Sequence, residues 1–263
     1  MHALTRQLVS AVAALVAVLA VWQTLVLVVS PPPYLLPAPA RVAEALWDDR
    51  ALIAEHFAAT GGIAVAGLAL GIAVGVLAAV VMTLAEPLRR LAEPILVASQ
   101  AIPPVIFTPL LIVLLGLGPF PKILVVALGA FFPVAIGTAA AMRNADAYLV
   151  DLLASMGASR GLILRRVRLP SSVPNLVASA KVSASYAVFS AIVAEWMGSS
   201  AGLGVYLQRS QASYQTEQIY AAVVVIAAFG ILLFWVASGL GSLVLARRTH
   251  LSNTPRTSRR RTP

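Results

Sequence analysis

The stretch ILVVALGAFFPVAIGTAAA, residues 123–141, holds no charged residue and a single hydroxyl, Thr138. A span of about 20 such residues, rising 1.5 Å each, crosses the roughly 30 Å hydrocarbon core of a bilayer. Apolar and polar positions do not alternate along it, so a spanning helix is the reading and a barrel strand is not. Further apolar runs lie on either side, at about 11–29, 58–83, 94–117, 176–197 and 218–245. The 263 residues are 60% hydrophobic and 11% charged, with mean hydropathy +0.90, well outside the range of soluble domains. The expected fold is an all-α, polytopic membrane helical bundle of about six transmembrane helices.

The run at 94–117 is unlike the others because it contains Pro103, Pro104 and Pro109. Proline removes a backbone donor and pushes its predecessor out of helical geometry, so a break or kink is expected there. Lipid tolerates such a break only where protein or a water-filled cavity surrounds it, which turns this segment toward the interior. In the run before it, Gly67, Gly71 and Gly75 recur every four residues and form a ridge that a second helix can approach closely.

Charge sets the orientation. With six crossings and the N-terminus inside, 15 of the 19 basic residues are cytoplasmic, and only Arg41, Arg50, Lys122 and Arg209 are outside. Both termini are therefore placed in the cytoplasm. The net charge of +9 reads as this topogenic bias. No basic face is interleaved with aromatics, so the expected partner is the lipid bilayer and not nucleic acid. With no Cys and three distant His residues, no metal site and no catalytic residue are expected. Arg6, the run 11–29 and PAPA at 37–40 also have the outline of a signal peptide, but the run exceeds a typical h-region. An uncleaved first span is expected, with cleavage as the alternative. Residues 1–248 read as one transmembrane domain and 249–263 as a basic, disordered tail near anionic headgroups.

Between the fourth and fifth runs lies MGASRGLILRRVRLP, residues 156–170, with Arg160, Arg165, Arg166 and Arg168. Upstream, Ala145, Leu149, Leu152 and Met156 recur at helical spacing. Gly157 permits a turn, Ser159 can cap a second short helix, and Pro170 ends that helix before the fifth run. The loop, about 142–174, is predicted to form a helix-turn-helix knuckle that is apolar on one side and cationic on the other.

This segment resembles the cytoplasmic loop of the inner-membrane permeases of binding-protein-dependent ABC importers. Their pattern is Glu-Ala-Ala, three residues, Gly, nine residues, Ile-x-Leu-Pro. Asp151, Leu152 and Leu153 take the first three positions, Gly157 the Gly, and Val167, Leu169 and Pro170 the end. The acid is shortened and both Ala positions are Leu, while the spacing from Gly to Leu-Pro is intact. The likeness extends from about Leu36 to Arg248. It is nearest the nitrate, sulfonate, taurine and thiamine-precursor branch, in which AEW (194–196) and SSAGLG (199–204) follow the loop at a similar distance.

The resemblance implies a permease subunit of an ATP-driven importer in the bacterial inner membrane. It further implies a homodimer, an extracytoplasmic substrate-binding protein, and a cytoplasmic ABC ATPase that receives the knuckle. Asp151, Leu152, Leu153, Gly157, Arg160, Arg165, Arg166, Val167, Leu169 and Pro170 would form the coupling surface. The implied cargo is a small soluble nutrient, either sulfonate-, nitrate- or taurine-like, or pyrimidine- or vitamin-precursor-like; SQAIP at 99–103 and AEW are similar to permeases of the second kind. Only Lys122 and Lys181 exist, and neither stands in a GK[ST] context, so ATP and Mg²⁺ are expected in the partner chain alone.

Ser179, Ser183, Tyr186 and Ser190, spaced by four, three and four residues, share one face of the fifth run. Such hydroxyls either line a path or bond back to their own helix and hold neighbouring helices together. Gln100 and Thr108 flank the proline break and join Ser183, Tyr186 and Ser190 as candidates for the pathway. Glu195, an acid at the outer end of an apolar run, is a candidate gate contact or a polar pair with the binding protein. SSAGLG reads as a mobile turn or a plain loop. A self-sufficient carrier driven by an ion gradient is the alternative, but repeated halves and paired mid-membrane ionisable groups are not evident.

Overall fold

The computed structural model describes the backbone of residues 2–252 and the side chains of Val9 and residues 13–246. In chain order its helices are α1 (His2–Val29), α2 (Pro39–Asp48), α3 (Arg50–Leu84), α4 (Glu86–Ser99), a 3-10 turn (Pro104–Phe107), α5 (Thr108–Leu115) and α6 (Pro119–Arg143). After these come α7 (Ala147–Ser155), α8 (Arg160–Ile163), a π-helical turn (Leu164–Arg168), α9 (Leu169–Glu195), α10 (Leu203–Ala212) and α11 (Thr216–Ser252). No strand occurs among the described residues. The part of the expected tail beyond Ser252 lies outside them.

Four helical stretches are long and apolar enough to cross a membrane: Arg50–Leu84, Pro119–Arg143, Arg160–Glu195 and Thr216–Ala246. The proline-containing run contributes a fifth only if α4 is counted together with Pro104–Leu115, because the two are bent by 90°. The break falls at Pro103 and Pro104, as their missing donors demand. In α1 the described apolar stretch, Ala13–Val29, is shorter than those four.

Pro170 does not end a helix, contrary to the sequence expectation. It sits in the first turn of α9, and the irregularity lies upstream, where the Leu169 N–H bonds the Leu164 carbonyl across a π-helical turn. A proline ring clashes with the carbonyl four residues before it, and widening the helix ahead of Pro170 makes room for the ring. Residues 160–195 thus form one continuous helical path.

The chain clusters into two compact units, one running through Gly62 and from Glu195 to Ala228, the other comprising Ile63–Ala194 and the chain from Phe229 on. In the second unit the glycine ridge meets α6 as expected. A Cβ on Gly67 would lie 2.5 Å from Val126 Cβ, one on Gly71 2.4 Å from the Ala127 carbonyl oxygen, and one on Gly75 2.9 Å from Val134 Cβ. Hydrocarbon gives helices no hydrophobic reason to associate, so the hold between α3 and α6 is close van der Waals packing. Further along, Ala79, Met82, Ala135 and Ala139 form a buried cluster on which Ala92 and Leu96 of α4 rest. Arg89 bonds Glu86 and Glu93, and Arg143, the last residue of α6, pairs with Glu93 at 3.0 Å, tethering the polar side of α4.

In the first unit the connection after α1 is pinned by its carbonyls. Trp22 Nε1 donates to Pro37, the Tyr220 hydroxyl to Leu35, and the Thr216 hydroxyl to Tyr34. The unit's centre is α10. Its N-cap, Gly202, has no side chain to satisfy the first backbone donors, and these would be orphaned in a buried site. Groups from α3 and the end of α9 satisfy them in sequence. Gly202 N–H donates to His56 Nδ1 (2.8 Å), Leu203 N–H to Thr60 Oγ1 (2.7 Å), and Gly204 N–H to Glu195 Oε2 (2.8 Å). The Thr60 hydroxyl donates in turn to Glu195 Oε1 at 2.7 Å. A carboxylate at a helix N-terminus also opposes the positive end of the helix dipole. Ile53, Leu203, Tyr206 and Ala222 close an apolar cluster beside the lock.

Two substitutions test this packing. Gly71→Ala forces its methyl into the α6 backbone and is expected to lower stability by about 1–3 kcal/mol, read as thermal melting of the detergent-solubilised chain. Gly62→Ala, with nothing within 4 Å, should leave melting unchanged. Gly202→Ala places a Cβ 2.2 Å from the Glu195 carboxyl carbon at φ +135°, a conformation that side chains rarely adopt. A comparable loss is expected there, and a Gly202→Ala protein that melts like the parent would show that the lock is not formed.

Candidate functional site

A cavity of about 440 Å³ opens beside the proline break in the second unit. Gln100, the C-cap of α4, stands at its edge with Ile102, Pro103, Pro104 and Val105. Helix α6 contributes Gly129, Phe132 and Pro133, and α9 contributes Val182, Tyr186, Phe189 and Ser190. The backbone explains the position. Pro133 has no N–H for the Gly129 carbonyl four residues earlier, and both residues line the cavity. The break after α4 and the one hydrogen bond that Pro133 removes from the otherwise continuous α6 therefore meet at one hollow, a setting in which unpaired backbone is tolerated in a membrane.

Of the expected pathway residues, Gln100, Tyr186 and Ser190 meet in this cavity, and Thr108, Ser183 and Glu195 do not line it. The Thr108 side chain is buried and its hydroxyl bonds back to the Val105 carbonyl at 2.6 Å. Ser183 is buried toward the Ala130 carbonyl, 3.5 Å away, and Ser179 faces Gly137, where a Cβ would meet its Oγ at 2.7 Å. The hydroxyl stripe is thus divided, with its inner members between helices and only Tyr186 and Ser190 on open space. Glu195 is 1% exposed and caps α10. SSAGLG, read as a turn or loop, closes on Gly202 and leads directly into α10. Near this lock the Tyr206 hydroxyl donates to Asp49 Oδ2 at 2.7 Å; burial, reinforced by that bond, raises the pKa of the phenol above its ordinary value.

Sequence reasoning missed Phe132 and Phe189 in the cavity and His56 and Thr60 in the lock. A signal existed for three of them: Val182, Tyr186 and Phe189 share one helical face at spacings of four and three, and His56 and Thr60 are polar residues four apart near the start of a largely apolar helix.

The knuckle has the expected first helix and turn, but its second helix runs on through the π-helical turn into α9. Asp146 caps α7 by accepting from Tyr148 N–H and Leu149 N–H. At the other end Gly157 (φ +79°) donates to the Ala154 carbonyl and Ala158 to the Leu153 carbonyl, a Schellman closure that needs a left-handed residue at Gly157. Ser159 then accepts from Leu162 N–H to start α8. Asp151, Leu152, Gly157, Arg160, Arg165 and Arg166 are exposed, Leu153, Val167, Arg168, Leu169 and Pro170 half-buried, and Ile163 and Leu164 buried beneath them. Tyr148, Leu149, Leu152 and Met156 leave an exposed apolar stripe on α7. Arg160 and Arg168 border a crevice of about 260 Å³ shared with Glu86.

The family described as the binding-protein-dependent transport system inner membrane component matches residues 71–250. Among curated relatives, the formylaminopyrimidine transport permease protein of Halalkalibacterium halodurans is 30% identical over 217 residues, 82% of this chain and 87% of that one. The riboflavin transport system permease protein of Chloroflexus aurantiacus is 31% identical over 89% of this chain and 87% of its own. The taurine transport system permease protein of Escherichia coli is 27% identical over 93% and 90%. Among solved structures, an inward-facing methionine ABC transporter superposes with a TM-score of 0.62 at 19% identity, over 79% of this chain and 98% of that one, which establishes a shared fold. The chain belongs to the family of binding-protein-dependent transport system inner membrane components and is a multi-pass permease subunit of an ATP-driven importer in the cytoplasmic membrane.

Proposed function

We propose that this permease spans the membrane six times with both termini in the cytoplasm, pairs with a second copy of itself, and couples to a separate ATPase through the knuckle at 151–170. Residues 1–248 act as one permease domain, with the basic tail 249–263 against the headgroups. The observation that carries the coupling role is the division of the knuckle. Ile163 and Leu164 anchor it from below, while Arg165, Arg166 and the stripe Tyr148, Leu149, Leu152 and Met156 are exposed. Large apolar side chains rimmed by cations fit a protein groove with acidic edges.

ATP and Mg²⁺ are bound by the partner, since this sequence has no GK[ST] loop to cradle phosphates. When two ATPase copies close, two knuckles are drawn together. The continuous helical path from Arg160 to Glu195 carries that displacement toward the outer end of α9. The cavity at Gln100, Tyr186 and Ser190 then receives cargo delivered by an extracytoplasmic binding protein. Relatives that transport formylaminopyrimidine, riboflavin and taurine support a small soluble nutrient, pyrimidine- or vitamin-precursor-like in one case and sulfonate-, nitrate- or taurine-like in the other.

Reversing Arg165 and Arg166 to Glu tests the docking. Exposed side chains of this kind should change melting by less than about 0.5 kcal/mol equivalent. Recovery of the co-expressed ATPase with the purified permease should fall about tenfold or more, the scale of losing a desolvated Arg contact. Undiminished recovery, with ATP-driven uptake intact, would remove the coupling role.

A further inference from the structure

The cavity beside the proline break distinguishes between the two cargo classes, given that cargo passes through it. Its polar inventory is short. Gln100 offers an amide, and Tyr186 and Ser190 offer hydroxyls. None of its lining residues carries a charge. The backbone around it is biased toward acceptors. Pro103, Pro104 and Pro133 have no N–H to offer, and the Gly129 carbonyl lacks the helical donor that Pro133 would otherwise supply.

An anion fits such a site badly. A sulfonate or nitrate brings a full negative charge, and on leaving water it needs a cation or converging backbone N–H groups, whereas this cavity holds no cation and offers only the side-chain donors of Gln100, Tyr186 and Ser190. A flat ring with N–H groups fits it well. Phe132, Tyr186 and Phe189 offer aromatic faces, and the rings on α9 are 62% and 61% exposed, open for stacking. The surrounding carbonyls and the Gln100 amide can accept from ring or exocyclic N–H groups. The volume of about 440 Å³ lies within the range of small-molecule sites.

We propose that this cavity binds an uncharged, planar nitrogen heterocycle carrying N–H donors, stacked on Tyr186, Phe132 and Phe189, and that sulfonate and nitrate anions are excluded from it. The proposal rests on the importer reading only for its meaning as cargo.

The test needs neither ATPase nor binding protein, so it is independent of the docking experiment. The purified full-length chain in lipid nanodiscs is titrated with 2-aminopurine, a neutral fluorescent heterocycle, and binding is followed by fluorescence polarisation. Saturable binding is expected, displaced by cytosine and unaffected by ethanesulfonate or nitrate at equal concentration. Tyr186→Ala and Phe132→Ala should each weaken it about tenfold, the effect of losing one stacking face. Tyr186→Phe, which keeps the ring and the packing, should bind within about twofold of the parent. Non-saturable partition of 2-aminopurine, equal binding by Tyr186→Ala at unchanged melting temperature, or displacement by either anion would overturn the proposal. The importer assignment would then stand unaffected, as loss of ATPase recovery in the docking experiment would leave cavity binding in place.

Discussion

Hydrocarbon offers no hydrogen-bond partner to a peptide group, and the rest of this structure follows from that constraint. Long apolar stretches must close their own backbone bonds, so they become helices. Wherever proline interrupts this closure, the freed groups must be turned away from lipid. Pro103, Pro104 and Pro133 interrupt it in two elements, and all three border one cavity. The hollow is thus one place where freed backbone groups are accommodated.

Close contact without a hydrophobic driving force imposes a second demand. Gly67, Gly71 and Gly75 let α3 lie against Val126, Ala127, Ala130 and Val134 of α6 with no room for a methyl group. The lock around α10 meets the same demand by polar means. Three successive N–H groups, left bare by a glycine cap, are taken by His56, Thr60 and Glu195. A buried Glu in a membrane protein invites a transport role, but here its two oxygens satisfy a helix end and a threonine hydroxyl. These bonds fix the carboxylate between α3 and the start of α10.

The knuckle between α6 and α9 is built differently. It is held by short-range devices, an Asp cap, a left-handed glycine closure and a Ser cap, each complete within a few residues. The α8 helix, the π-helical turn and α9 form one helical path, which joins the exposed cations to the α9 face that carries Tyr186 and Phe189. The fold alone says nothing of the cargo, which depends on the side chains at one site.

The amino-acid sequence by itself determined what is local and periodic. The apolar runs, the glycine ridge, the proline break, the capping of the knuckle and the positive charges on its arginines could all be read from residue type and spacing, because each depends on neighbours within a turn or two. Spacing could not show which members of the Ser179, Ser183, Tyr186 and Ser190 stripe were buried, since a helix face is polar or open only in relation to what packs on it. Neither could it reveal that Pro170 would be absorbed by a π-helical turn, or that Glu195 would find Thr60, 135 residues away in the chain. The tertiary structure decided these matters, because burial and long-range hydrogen bonding are properties of the neighbours that packing brings together.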